Sequence, residues 1–269
     1  MSEPKDTHDD AGSEPTGAKV LALSWRPGSF SFPRETIVSL AVFAVCWEML
    51  SWISPPFVIP GWGRIFKSLV DLRFDYVLIT LGRVFAALVI SFLLGLALAV
   101  AMYSSSTFER YAKPMIRLLM AVPVVCWILF SVLWFKGVEF RIAYVLIVTC
   151  APVFVVDCLD GMKGVQKDLR DMIRSFRPTT LQYFSKLILP ATLPIIFTSW
   201  KINLSLAIRV VTIAELVGAV SGIGYGLTVA QELFSVADVF AWTLVLVAIL
   251  FVSEAILTRI EEHYLRWRA

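Results

Sequence analysis

Six ionisable side chains fall inside stretches that are otherwise almost wholly apolar: Glu48, Arg83, Lys201, Arg209, Glu215 and Glu254. A charge kept in such a place is costly, so it faces a bundle interior or a watery path, or it pairs with an opposite charge. The chemistry open to these groups is ion pairing and recognition of a charged solute. Bond-making chemistry lacks its parts. His8 and His263 are the only histidines and sit near opposite ends, which leaves no nucleophile with an evident base. No G-x-x-x-x-G-K-[ST] loop occurs, so no nucleotide-hydrolysing site is expected in this chain. Cys46, Cys126, Cys150 and Cys158 lie in apolar segments with no C-x-x-C pair; buried, inert thiols are expected, with no metal site and no disulfide framework. Gly222, Gly224 and Gly226 form G-x-G-x-G. That spacing is not a dinucleotide fingerprint, and it follows a helical pattern, so a tight turn into a re-entrant or interfacial segment is expected.

Four residues are expected along a translocation pathway: Arg83, Asn203, Arg209 and Glu215. Arg209, near the middle of its apolar stretch, is the leading candidate for contact with an anion; the alternative is a buried pair with Glu48 or Glu254. Arg83 lies near the end of its stretch, where a long side chain can snorkel. Arg209 and Glu215 are six apart and point to different faces of one helix. Glu215 is expected in a structural role near an outer gate. Asn203, Ser205 and Thr212 favour a lining or interhelical role over a lipid face.

The elements that position these residues follow from composition. Of 269 residues, 58% are hydrophobic and 17% charged, with a mean hydropathy of +0.77. That is more apolar than a soluble domain. Runs near 20 apolar residues suffice to cross about 30 Å of hydrocarbon as helix. They cover about Thr36–Ile53, Leu78–Met102, Met115–Phe135, Ile142–Leu159, Leu193–Val217 and Val239–Leu257. The fold class is therefore an all-α membrane protein of about six transmembrane helices. Its expected layout is a polar tail over 1–35, with a composition suited to disorder, a first transmembrane helix over 36–60, an amphipathic helix on the outer interface over 61–76, and a five-helix core over 77–269. With the amino terminus inside, sixteen lysines and arginines lie in inside segments and five in outside ones. Both termini are thus expected in the cytoplasm. The net charge of +3, with no basic patch interleaved with aromatics, excludes nucleic acid as a partner.

The inside loop 160–190 is too long for a plain turn. Leu169, Met172, Ile173 and Phe176 are spaced for one helical face. Arg177-Pro178 interrupts. Thr179 and Thr180 cap a second helix carrying Leu181, Tyr183, Phe184 and Leu187, and Pro190 and Pro194 close the segment before the fifth span. A basic helix–break–helix of this kind suits docking into a groove on a partner protein; a surface hairpin covering the bundle is the other reading.

The same loop resembles the cytoplasmic signature of ABC importer permeases, E-A-A-x-x-x-G, nine residues, then I-x-L-P. Asp171-Met172-Ile173 stands at E-A-A and Arg177 at the glycine; nine residues from Pro178 lead to Leu187, and Leu189-Pro190 completes the pattern. Further pieces resemble the subfamily importing nitrate, sulfonates, taurine and related small molecules: Ala121-Val122-Pro123 with Trp134-Phe135-Lys136-Gly137, the run Leu189-Pro190-Ala191-Thr192-Leu193-Pro194, and Ala214-Glu215 with Gly222-Ile223-Gly224. The resemblance spans about Leu78 to Arg268. It implies a homodimer of permeases in the cell (inner) membrane, ATP-binding subunits beneath, and an extracytoplasmic substrate-binding protein. It implies that ATP is bound by a separate subunit, with no cofactor in this chain. It also implies that Asp171, Met172, Ile173, Phe176, Arg177, Pro178, Leu187, Leu189 and Pro190 form the coupling segment to the ATPase. Arg177 departs from the pattern, and Pro178 is expected to supply the break that glycine normally gives. The competing classes are a self-sufficient secondary transporter or channel, which often shows inverted repeats absent here, and a membrane enzyme, which lacks a catalytic set.

Overall fold

The computed structural model describes residues 34–55 and 58–265; the expectation of a polar tail falls almost wholly outside them. The described residues divide into two units between Val45 and Cys46. Among the described residues every regular element is helical. They are α1 (Arg34–Ile53), α2 (Trp62–Asp71), α3 (Phe74–Ser104), α4 (Ser106–Ala121), α5 (Val124–Trp134), α6 (Val138–Lys163), α7 (Lys167–Ser175), α8 (Thr180–Tyr183), α9 (Leu189–Leu216), α10 (Ile223–Glu232) and α11 (Val236–Tyr264). A π turn, Phe184–Ile188, joins α8 to α9.

Five helical runs are long and apolar enough to cross a membrane: Thr36–Ile53, α3, α6, Thr180–Leu216 and α11. The sixth passage differs from the straight span expected over Met115–Phe135. There α4 and α5 meet at 92°. Proline explains the break: Val122 is extended, with ψ 125°, because a residue preceding proline is pushed out of the helical region, and Pro123 has no N–H to continue the ladder. At 1.5 Å per residue the two legs are about 24 and 16 Å long, each shorter than the roughly 30 Å of a hydrocarbon core, so neither leg spans it alone.

The fifth span also differs. Pro190 and Pro194 do not separate the loop from the helix; the helix runs through from Thr180 to Leu216. The wide π turn accommodates Pro190. Leu189 N–H donates to Phe184 O, five residues back, which absorbs the missing donor and the ring's clash with the preceding turn.

α3, α6 and α9 form the centre, with Val84, Leu88, Val145, Leu146, Phe154, Ala207 and Val211 buried between them. Phe92, Phe154 and Trp200 meet in a triangle of ring contacts at 5.4–5.6 Å. The helices approach closely at Gly95, where a Cβ would sit 2.6 Å from Phe154 Cβ. Near the end of α1, Glu48 Oε2 accepts from Trp62 N–H at 3.1 Å, which supplies the start of α2 with a carboxylate where free N–H groups point. Trp47 Nε1 donates to Pro60 O and Ser51 Oγ to Ile59 O alongside it.

Candidate functional site

Two constellations carry function-bearing residues. The first is the loop between α6 and α9. α7 closes with Phe176 N–H donating to Ile173 O (3.1 Å) and Arg177 N–H to Arg174 O (3.0 Å). Arg177 then turns left-handed, with φ 48°. Helices commonly end on such a residue, and glycine is preferred there. Arg177 thus makes the turn that the signature assigns to glycine, at a cost of about 1–2 kcal/mol for a side chain with a Cβ. After Pro178 a capping box starts α8: Gln182 N–H donates to Thr179 Oγ1 (3.3 Å) and Thr179 N–H to Gln182 Oε1 (3.0 Å). The Arg174 guanidinium lies over the Tyr183 ring, 5.8 Å from its centroid, and holds the two short helices together.

The loop divides into an outward and an inward set. Asp171, Met172, Arg177 and Leu189 are exposed; Phe176 is 80% exposed and Leu181 77%. Ile173, Pro178 and Pro190 are half-buried. Leu187 is buried with Ile188 against Leu159, Met162 and Val165. Its place is to anchor the loop to the bundle rather than to face solvent.

The second constellation centres on Arg83, whose side chain is 7% exposed. It does not snorkel; all five of its N–H groups are spent inside the protein. Nε donates to Glu139 Oε2 (2.9 Å) and Nη2 to Glu139 Oε1 (2.5 Å). Nη1 donates to Glu215 Oε1 (2.7 Å) and to Ser221 O (2.8 Å), and Nη2 also to Ser221 Oγ (3.0 Å). Glu215 is fully buried. Its second oxygen accepts from Gly224 N–H at 2.9 Å. Thr80 Oγ1 lies 3.0 Å from both carboxylate oxygens and itself accepts from Ile223 N–H. Gly222, with φ 106°, passes directly over the carboxylate, and a Cβ there would collide with it. The G-x-G-x-G segment is thus a tight turn wrapped around Glu215, leading into α10. Arginine's charge is compensated twice, by one buried acid and one that is 69% exposed, which is why desolvating it is tolerable.

Sequence reasoning missed Glu139, Thr80 and Ser221. Thr80 and Arg83 share one face of α3 at i, i+3 spacing, a signal that was there to be used. Glu139 is 56 residues from Arg83 and nothing local marks it. The other expected pathway residues separate. Asn203 is fully buried, its Nδ2 donating to Ser199 O at 3.0 Å. Arg209 is exposed and donates to Ser205 Oγ at 3.1 Å. The pair weighed for it with Glu48 or Glu254 does not form, since Glu48 is engaged at α2; among the described residues Arg209 has no ion-pair partner. Lys201 pairs with Glu261. Among the described residues no cluster of His, Cys, Asp and Glu could hold a metal ion.

The sequence model of a family described as binding-protein-dependent transport system inner membrane component matches residues 91–266. The formylaminopyrimidine transport permease protein ThiX of Halalkalibacterium halodurans is 26% identical over 240 residues, covering 87% of this chain and 96% of that protein. The taurine transport system permease protein TauC of Escherichia coli is 27% identical over 262 residues, covering 91% and 94%. The fold is similar to a chain of the inward-facing MetNI methionine ABC transporter, with a TM-score of 0.65 and 18% identity over 71% of this chain and 95% of that one. The chain therefore belongs to the binding-protein-dependent transport system inner membrane components: it is a multi-pass permease subunit of an ABC importer, not an enzyme, and by that membership works with an ATPase and a substrate-binding protein.

Proposed function

We propose that two copies of this chain form the solute pathway of the importer and that segment 168–190 is where a separate ATPase takes hold. The observation that carries this is the presentation of Met172, Phe176 and Leu181 to solvent on two short helices fixed by the Arg177 turn and the Thr179 capping box. Large apolar side chains displayed on a rigid, basic hairpin suit a partner's groove. Asp171 and Arg177 flank them with charges that set register. Leu187 and Pro190 pass the load into the bundle. The distribution of lysine and arginine supports both termini, and this loop, on the cytoplasmic side of the inner membrane. Arg83 and Glu215 hold the outer end of the bundle together. Arg209, exposed on α9 without an acid partner, supports a solute with an anionic group. Taurine, the solute named for one relative, carries a sulfonate and fits that reading; the formylaminopyrimidine named for another has no anionic group and does not. The ATP belongs to the partner subunit, and this chain holds no cofactor.

The test is co-purification of the ATPase with the permease, alongside solute-stimulated ATP hydrolysis. Phe176→Ser combined with Leu181→Ser is expected to weaken co-purification at least tenfold, the loss of about 1.4 kcal/mol or more of apolar contact, with the permease still folded. Arg177→Glu is expected to reduce stimulated hydrolysis more than assembly. Unchanged co-purification and hydrolysis in these variants, or uptake that persists without ATP, would falsify the docking role.

A further inference from the structure

Three clefts that share lining residues in turn lie along α4 and the neighbouring faces of α3 and α6, and their lining changes from charged to apolar. The first, about 560 Å³, lies against the first half of α4 and is lined by Glu109, Arg110, Lys113 and Arg117 together with Ser106 and Pro114. The second, about 300 Å³, shares Lys113 and Arg117 with the first and is floored by Met102, Ile116 and Val155, with Asp160 at its edge. The third, about 210 Å³, shares Ile116 and Val155 with the second and is lined only by apolar side chains and Gly95, as far as Leu98 and Ile147.

The charged end is net positive. Glu109 is engaged by Lys163 at 2.5 Å. Arg110 and Arg117 have no ion-pair partner among the described residues. α4 buries only Ile116; Lys113 lies 4.0 Å from Glu109, which Lys163 already engages more closely, so the exposed stripe of Arg110, Lys113 and Arg117 keeps a positive excess for an occupant. Measured along α6, the path from Asp160 to Ile147 is about 20 Å at 1.5 Å per residue, close to the depth of one leaflet with its headgroups. A small transported solute has no use for an apolar extension of that length. A docked ATPase does not reach its far end.

We infer that this graded cleft holds one glycerophospholipid with a net negative headgroup. Its phosphate lies between Lys113 and Arg117, and one acyl chain runs over Ile116 and Val155 toward Ile147. Basic pockets between transmembrane helices are suited to anionic headgroups, each cation near the surface adding to the attraction. The site stands apart from the coupling segment; only its leaflet, the cytoplasmic one, follows from the orientation proposed above.

The full-length chain, delipidated in detergent, is incubated with phosphatidylglycerol, phosphatidylcholine or glycerol 3-phosphate and read by native mass spectrometry. One phosphatidylglycerol per chain is expected to be retained, at least tenfold more tightly than phosphatidylcholine, with no displacement by glycerol 3-phosphate. Lys113→Gln with Arg117→Gln is expected to weaken retention about thirtyfold, at about fivefold per cation. Both side chains are exposed, so this variant keeps its fold. Ala151→Phe, which fills the apolar end, is expected to lower retention of both lipids alike. Equal retention of the two lipids, displacement by glycerol 3-phosphate, or undiminished binding by the double variant would each overturn the assignment.

Discussion

Arg83 is held by two acids of unlike character, and the difference orders the effects of removing each. Arg83→Met leaves Glu215 buried and uncompensated, a loss of about 3–5 kcal/mol. Glu215→Gln leaves Arg83 still neutralised by Glu139, so the loss is smaller, about 1–3 kcal/mol from one mispaired buried group. Glu139→Gln acts on a largely exposed carboxylate and costs under about 1 kcal/mol. Melting temperatures of the purified variants are expected to fall in that order, and a larger drop for Glu139→Gln than for Arg83→Met would contradict this geometry. Arg177 gives the opposite sign. Its left-handed φ makes Arg177→Gly stabilising for the loop by up to about 1 kcal/mol in conformation. A chain in which that variant melts lower owes something to the guanidinium that the turn does not explain.

At the scale of elements, Pro190 and the π turn are linked. Pro190→Ala restores the missing N–H and removes the clash that the wide turn accommodates. Closing it to a regular α turn shifts the register of Thr180–Tyr183 by one residue, a rotation of about 100° about the helix axis. Leu181 would then point in a new direction relative to the bundle. The expected outcome is an unchanged or higher melting temperature with reduced solute-stimulated ATP hydrolysis; full stimulation would show that the π turn does not set the presentation of the loop. These elements also show what a sequence discloses. Long apolar runs announce the spans because lipid demands internally bonded backbone, and α1, α3, α6 and α11 lie where hydropathy puts them. The α4–α5 bend escapes the same reading because Ala121-Val122-Pro123-Val124-Val125 is as apolar as the helices it separates. The loop was legible through spacing: Arg177 takes a glycine's conformation with none of its chemistry. The Arg83–Glu139 pairing was not, since it joins α3 to the first turn of α6 and depends on how those helices pack.

For the whole molecule, the exposed Arg209 is the residue that tests where the proposed pathway runs. It lies on α9, away from the buried centre, and its partner is a serine hydroxyl rather than an acid. Arg209→Gln is therefore expected to leave the melting temperature within about a degree, as surface substitutions do, while lowering uptake of an anionic solute about tenfold. Uptake unchanged in that variant would move the pathway to another face. The same helix has a mechanical consequence. From Thr180 to Leu216 it is one helical run of 37 residues, the π turn included, about 55 Å long. Its two ends are the capping box beside the α7–α8 hairpin and the glutamate knot around Arg83. On the coupling role proposed above, a beam of that length would convert a tilt of about 5° at one end into about 5 Å of travel at the other, so that motion of the hairpin would be felt at the Arg83 end.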